Sequence, residues 1–409
     1  MSSPRDAEIS IVGGGAIGCA VAYYLAKEGY RDIQLLERSD IASQTTAQAA
    51  GLVGQVRSTK ERTLLAMESV QTFSGLLQAT GVNPDWTQTG SLRLSLNSSR
   101  DEEFIALEKV ASSVGLEVQF LSKNQLENLF PYVKSQRVTS ALWCPSDGYL
   151  QPNSLTNAYL SGARTLGVTV ATHCAVQGIE LKNGAVNAIK TDQGRISTSM
   201  VINCAGPWAR EIAMMVGLDL PIVPLRHEYF ITEDVKGWNP LLPVLRIPDI
   251  RLYVRAELSS ILCGGWEAEA SSLPLSNPSS TSMTPETDYG VLSQFHTDLS
   301  SVISDIDDIG IRSIMKGYPT FTPDGRFIIG PARSPKGFIV AAGCNAHGVS
   351  GSAGIAKHVV ESISDSPSSY VLSLSPTRFE NQVINNQELE RRARSHYENY
   401  YSNSLLPPS

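Results

Sequence analysis

The first residues able to do chemistry are glycines. Glu8-Ile-Ser-Ile-Val12 is a short β-branched run that ends in Gly13-Gly-Gly15-Ala-Ile-Gly18. A helical pattern follows from about Ala16 to Glu28, with Gly29 as its stop signal. Ile33-Gln-Leu-Leu36 is a second apolar run, closed by Glu37. Strand, GxGxxG, helix, strand and acid in this order form a dinucleotide-binding unit. Gly13 permits a tight turn, Gly15 lets the backbone approach a pyrophosphate, and Gly18 lets helix and strand pack closely. The helix N-terminus, at Ala16 and Ile17, would turn unpaired N–H groups toward that phosphate. Glu37 would accept hydrogen bonds from ribose hydroxyls.

The motif alone does not separate NAD from FAD. Two features favour FAD. Gln44-Thr45-Thr46-Ala47-Gln48-Ala49-Ala50-Gly51-Leu52 directly follows the second strand, and its small, hydroxylic residues suit a segment lying on a phosphate or flat ring. No second strand-linked GxGxxG occurs, so electrons are expected from the substrate rather than from NAD(P)H.

Composition excludes several function classes. The 409 residues suffice for two lobes. A net charge of −7 with no basic patch argues against nucleic-acid binding. No apolar run reaches the roughly 18 residues of a membrane span, and no signal peptide is recognisable, so a cytoplasmic protein is expected. Six scattered cysteines and six scattered histidines lack metal-ligand or disulfide spacing, so no metal is expected.

Taken together, the blocks along the chain resemble the D-amino-acid oxidase-like flavoproteins, nearest the FAD domains of dimethylglycine and sarcosine dehydrogenases. Beyond the glycine loop and Thr45–Leu52, the blocks are Asp147-Gly-Tyr-Leu-Gln-Pro152, Asn203-Cys-Ala-Gly-Pro-Trp208 and Pro224-Leu-Arg-His-Glu-Tyr229. They continue with Leu252-Tyr-Val-Arg255, Gly264-Gly-Trp-Glu267, Phe321-Thr-Pro-Asp-Gly325 with Ile329-Gly-Pro331, and Ala341-Ala-Gly-Cys-Asn-Ala-His-Gly348. The tail from Arg391 to Pro408 also resembles the end of those domains.

The resemblance implies an α/β protein: a Rossmann-like FAD-binding domain interleaved with an antiparallel-sheet substrate domain. The FAD domain would take residues 1–85, 145–222 and 320–368. The substrate domain would take 86–144 and 223–319, with 369–409 as a tail packing on the FAD domain. Further cofactor contacts are implied at Arg38, Thr45, Thr46, Gln48, Ala50, Gly51, Leu52, Val176, Ala205, Gly206, Trp208 and Gly325. Gly348, Val349, Ser350 and Gly351 complete that set. Gln48 stands where the covalently flavinylated dehydrogenases carry histidine, so the FAD is expected to be non-covalent. Those enzymes also continue into a folate-binding domain, so any formaldehyde formed here is expected to leave freely.

Local patterns agree with interleaved lobes. Lys60–Ala79 and Asp101–Val114 read as helices and Ser91–Leu96 as a half-buried strand. Ser122 and Gln125 form a capping box, and Asn153 is expected to cap a helix reaching about Leu166. Ser271–Pro285 reads as a surface loop.

Oxidising a C–N bond needs a neutral amine, whose lone pair stabilises the iminium as hydride leaves. A histidine with a pKa near working pH would suit control of that protonation state. By the resemblance, His227 takes this role and Tyr253 is its hydrogen-bonding partner, both on strands roofing the flavin. His347 lies between the strand Gly337–Ala342 and a helix from Ser350 to Ser364. That helix N-terminus would favour negative charge on a reduced ring, with His347 beside it. A substrate carboxylate would want arginine's planar fork; Arg255 and Arg226 are the candidates, with Lys316 behind them. The expected reaction is oxidation of a secondary or tertiary amine such as an N-methyl amino acid. Alternatives are a primary D- or glycine-like amino acid, or a flavoprotein subunit that needs a partner chain. An NAD-dependent dehydrogenase is the outsider. Oxygen and an electron-transfer acceptor are both open as the oxidant.

Overall fold

In the computed structural model of the protein, which describes residues 3–275, 284–382 and 384–401, the opening apolar run is the strand Ile9–Val12, buried along its whole length. Strands buried on both faces belong in parallel sheets covered by helices. Here the order is Ile328–Pro331, Phe338–Ala342, Met200–Asn203, Ile9–Val12, Ile33–Leu36 and Thr169–Ala171. Only Ile328–Pro331 runs against its neighbour. The helix Ala16–Lys27 packs against helices Pro152–Thr165 and Ser352–Ser362, and its alanines let them approach closely. Ile9–Val12 has Ile33–Leu36 on one side and Met200–Asn203 on the other. The strand order therefore reverses there, leaving a crevice at the carboxyl ends of the strands.

A second, eight-stranded sheet lies over that crevice. Its order is Ile311–Gly317, His227–Asp234, Ser260–Gly265, Leu252–Glu257, Val244–Ile247, Ser91–Ser95, Ser140–Cys144 and Gln119–Phe120. Pairing is antiparallel except between Val244–Ile247 and Ser91–Ser95. Because side chains alternate across a strand, register sorts them into two rows. Phe230, Cys263, Val254, Leu245 and Leu92 pair in turn and pack in an apolar cluster with the helix Tyr289–Val302. The alternate row, Tyr229, Gly264, Tyr253, Arg246 and Arg93, faces the other way.

The architecture is thus mixed α/β, with strands of the first sheet drawn from residues 9–36, 169–203 and 328–342 and those of the second from 91–144 and 227–317. The capping box at Ser122 and Gln125 is present. Asn153, however, is no cap: the helix begins at Pro152 with Gln151 as its N-cap, a first-turn position that suits proline's fixed φ. Residues 276–283 of the expected surface loop and 402–409 of the tail lie outside the described residues. The tail's helix Asn386–Glu398 packs Leu389, Ala393 and Tyr397 against Val223, Leu225, Trp266 and Phe321. These contacts are to the two-stranded pair Val223–Pro224 with Thr320–Phe321 and to Trp266, which follows the strand Ser260–Gly265 of the second sheet. Among the described residues no helix is long and apolar enough to cross a membrane.

Candidate active site

Between the two sheets lies a cavity of about 350 Å³. Its floor is the glycine loop. Gly13 has φ +110°, and a Cβ there would sit 2.5 Å from the Cys204 carbonyl oxygen. A Cβ on Gly18 would meet the Gly13 carbonyl oxygen at 1.9 Å, so Gly18 packs the helix onto the loop without lining the cavity itself. Glu37 holds the loop from below, accepting from the Gly14 amide at 2.6 Å and the Ser39 amide at 2.8 Å. The helix N-terminus has no side-chain cap at Gly15, and the Ala16 amide donates to Thr46 Oγ1 at 3.1 Å.

Most of the residues expected to hold the cofactor line this cavity. They include Gly13, Gly15, Ala16, Ile17, Glu37 and Arg38. Thr45, Thr46, Gln48, Ala50, Gly51 and Leu52 follow along one wall, with Val176, Ala205, Gly206 and Trp208 opposite. Gly348, Val349 and Ser350 also line it. Two do not. Gly325 has φ +64° and turns toward His396 of the terminal helix. Gly351 lines a small adjoining pocket with Arg57, Arg62 and His347.

The roof carries the polar side chains. His227 Nε2 lies 2.8 Å from the Tyr253 hydroxyl, and Nδ1 lies 3.0 Å from the Tyr397 hydroxyl. Burial pushes the His227 imidazole down to about 4 and keeps the Tyr253 phenol protonated. A histidine titrating near working pH was expected; desolvation makes it neutral instead. Gly264 makes room for this arrangement, since a Cβ there would fall 2.3 Å from the Tyr253 hydroxyl. His347 donates from Nδ1 to the Asn345 carbonyl at 2.8 Å and accepts at Nε2 from the Tyr400 hydroxyl at 2.9 Å. Burial, then the nearby Arg57 and Arg62 cations, hold His347 well below its usual range.

None of the three cations expected to take a carboxylate lines the cavity. Arg226 is tied to Glu267 at 2.6 Å, Asp288 at 2.9 Å and Glu228 at 3.6 Å. Arg255 donates to the Ala50 carbonyl at 2.7 Å and pairs with Glu257 at 2.5 Å, propping the wall from outside. Lys316 donates to Thr287 at 2.7 Å. Arg57 and Arg246 stand in the cavity wall instead. Burial depresses Arg57 to about 10; Tyr400 opposes that fall, while the neighbouring cations Arg246, Arg62 and Arg93 add to it. Arg246 is held up by Tyr401, Tyr400 and Asp147 despite its burial. A charged residue inside the apolar run Val244-Leu-Arg246-Ile247 was a readable signal of a wet inner face. Nothing comparable marked Tyr400.

The cavity fits a dinucleotide with a flat ring. The loop offers amides and a helix N-terminus where side chains are sterically excluded. Gln48 Oε1 and Trp208 Nε1 are buried in its wall without hydrogen-bond partners among the described residues. Buried polar atoms left unpaired are costly, so both await a ligand.

Comparison with known proteins agrees. A family model described as FAD dependent oxidoreductase (DAO) matches residues 8–362. The chain is 31% identical over 352 residues to the mitochondrial sarcosine dehydrogenase of Mus musculus, covering 85% of this chain and 38% of that protein. It is 28% identical over 402 residues to the mitochondrial dimethylglycine dehydrogenase of Rattus norvegicus, covering 96% and 47%. The chain therefore spans less than half the length of these relatives. An L-proline dehydrogenase from P. horikoshii shares the fold with a TM-score of 0.84 over 94% of this chain and 100% of that one, at 23% identity. The family match runs through both sheets and the cavity between them, and the chain is a member of the DAO family of FAD-dependent oxidoreductases.

Proposed function

We propose that the protein oxidises the C–N bond of an amine that also carries a carboxylate, with N-methyl amino acids as the favoured class. The observation that carries this reading is the pair of buried arginines in the cavity wall, Arg57 and Arg246. Arg57, buried with the cations Arg246, Arg62 and Arg93 near it, is disfavoured in a low-dielectric site, and a bound carboxylate would relieve it through the guanidinium fork. The same field disfavours an ammonium and so favours the neutral amine that the chemistry needs. Bound FAD would supply the acceptor for hydride from the carbon beside nitrogen. His227, neutral above about pH 4, orients the Tyr253 hydroxyl toward the cavity and does not store the substrate's proton. The imine product would then hydrolyse in water. Relatives named for sarcosine and dimethylglycine support the N-methyl class.

FAD would be held by Gly13, Gly15, Glu37 and the Thr45–Leu52 wall. The Gln48 carboxamide cannot bond covalently to a flavin as histidine does, so denatured protein is expected to release intact FAD into the filtrate. The activity is tested by mixing FAD-loaded protein anaerobically with sarcosine, dimethylglycine, proline, glycine and D-alanine. Loss of the flavin's visible absorbance with the N-methyl acids supports the reading. Bleaching confined to the primary amino acids would replace it, and re-admitted air shows whether oxygen is the acceptor.

A further inference from the structure

The terminal helix ends inside the site. Tyr397 and Tyr400, three positions apart at its end, each reach one cavity histidine: Tyr397 to His227 at 3.0 Å and Tyr400 to His347 at 2.9 Å. Tyr400 also stacks on Trp266, with ring centroids 3.7 Å apart at 13°, and lines the cavity.

Proton bookkeeping fixes what each group offers. The Asn345 carbonyl can only accept, so His347 Nδ1 carries the ring hydrogen. In the neutral ring Nε2 must then accept, and Tyr400 donates its hydroxyl proton there. On the other side, we assign the Tyr397 hydroxyl proton to His227 Nδ1. Nε2–H of His227 then donates to Tyr253, and the Tyr253 proton is left for the cavity. Both histidines have both nitrogens engaged. Arg57, Arg246 and Tyr253 offer donors to the cavity. The Tyr400 oxygen, its proton committed to His347, presents lone pairs to the cavity beside Arg57 and Arg246.

We propose that Tyr400, with His347 behind it as its proton acceptor, meets the substrate's nitrogen as a hydrogen-bond acceptor. The site therefore selects amines that keep an N–H when neutral, secondary over tertiary. The donors take the carboxylate and the Tyr400 oxygen takes the N–H, so the two ends of an N-methyl amino acid are told apart. This rests on the carboxylate reading given above for Arg57 and Arg246. His347 becomes a positioning residue, since its nitrogens never face the ligand.

The test uses two non-oxidisable carboxylates of nearly one shape, pyrrole-2-carboxylate, which has an N–H, and furan-2-carboxylate, which has a ring oxygen there. Each is titrated into the FAD-loaded protein and followed by perturbation of the oxidised flavin spectrum. The wild type is expected to bind the pyrrole acid about three- to tenfold more tightly, the worth of one net hydrogen bond. Tyr400→Phe keeps the ring on Trp266 and should bring the ratio close to one by weakening the pyrrole acid alone. With substrates, the same variant should raise KM for sarcosine and leave dimethylglycine almost unchanged. A wild-type ratio of one, or a ratio that survives Tyr400→Phe, overturns the assignment. If neither acid perturbs the wild-type spectrum, the carboxylate reading itself falls, and this one with it. Should Tyr400→Phe fail to retain FAD, the wild-type ratio alone decides.

Discussion

Beneath the cavity the wall is mostly main chain, and above it the wall is side chain. The floor is the turn Gly13–Gly18, bound to itself through Glu37 and pressed against Cys204, and it works because side chains are absent. The roof draws Arg57, His227, Arg246, Tyr253, Trp266, His347 and Tyr400 from widely separated parts of the chain. A backbone cradle recognises what all its ligands share, phosphate and ribose, whereas a roof of side chains can change its substrate by single substitutions. The difference predicts that floor variants lose the cofactor and roof variants lose discrimination.

The largest effect should come from the floor. Gly18→Ala forces a methyl group onto the Gly13 carbonyl, and such overpacking costs roughly 1–3 kcal/mol or more. We expect the purified protein to carry little FAD, read from its visible spectrum. Retention of full flavin content would remove the distinction between the two walls.

Next is Arg57→Met. Losing a charged hydrogen bond to a carboxylate costs about 1.5–3 kcal/mol, so KM for a carboxylate-bearing amine should rise by roughly ten- to a hundredfold. Flavin content should stay normal. Because the buried cation sits among other cations, the substrate-free variant should melt no lower than the wild type. A large fall in melting temperature would mean Arg57 is structural.

Tyr253→Phe removes one donor and leaves the ring over Gly264. We expect a smaller fall in kcat/KM, about tenfold, with flavin content unchanged. Full turnover would take Tyr253 out of the mechanism.

The smallest signature is in pH. A buried histidine whose pKa falls from 6.5 to about 4 is already neutral above pH 6, so His227 should add no inflection there. Between pH 6 and 8, kcat/KM should climb only because the substrate amine loses its proton as pH rises. An inflection near 6.5 that disappears in His227→Gln would show that this ring titrates during catalysis after all.

The two walls also differ in how far the sequence exposes them. GxGxxG with Glu37 is legible because its residues interact within one short stretch, where spacing is geometry. His227 and Tyr253 could be placed on roof strands, but the Tyr397 hydroxyl that engages the other nitrogen of His227 lies 170 positions away in sequence. Arg226 and Arg255 were attractive for their residue type alone, and only tertiary contacts show both satisfied by carboxylates. Arg246 could have been found by asking why an arginine interrupts an apolar strand. Tyr400 could not: the tail around it resembles the end of the family's FAD domains, but nothing in the pattern singles out this residue.

The central claim is that the roof reads a carboxylate and an amine together on FAD. The most direct test is anaerobic flavin reduction by sarcosine and by its carboxamide, in the wild type and in Arg57→Met. We expect the wild type to reduce much faster with sarcosine than with the amide, and Arg57→Met to erase most of that preference. Equal rates for acid and amide in the wild type, or a preference that survives in Arg57→Met, would contradict the account.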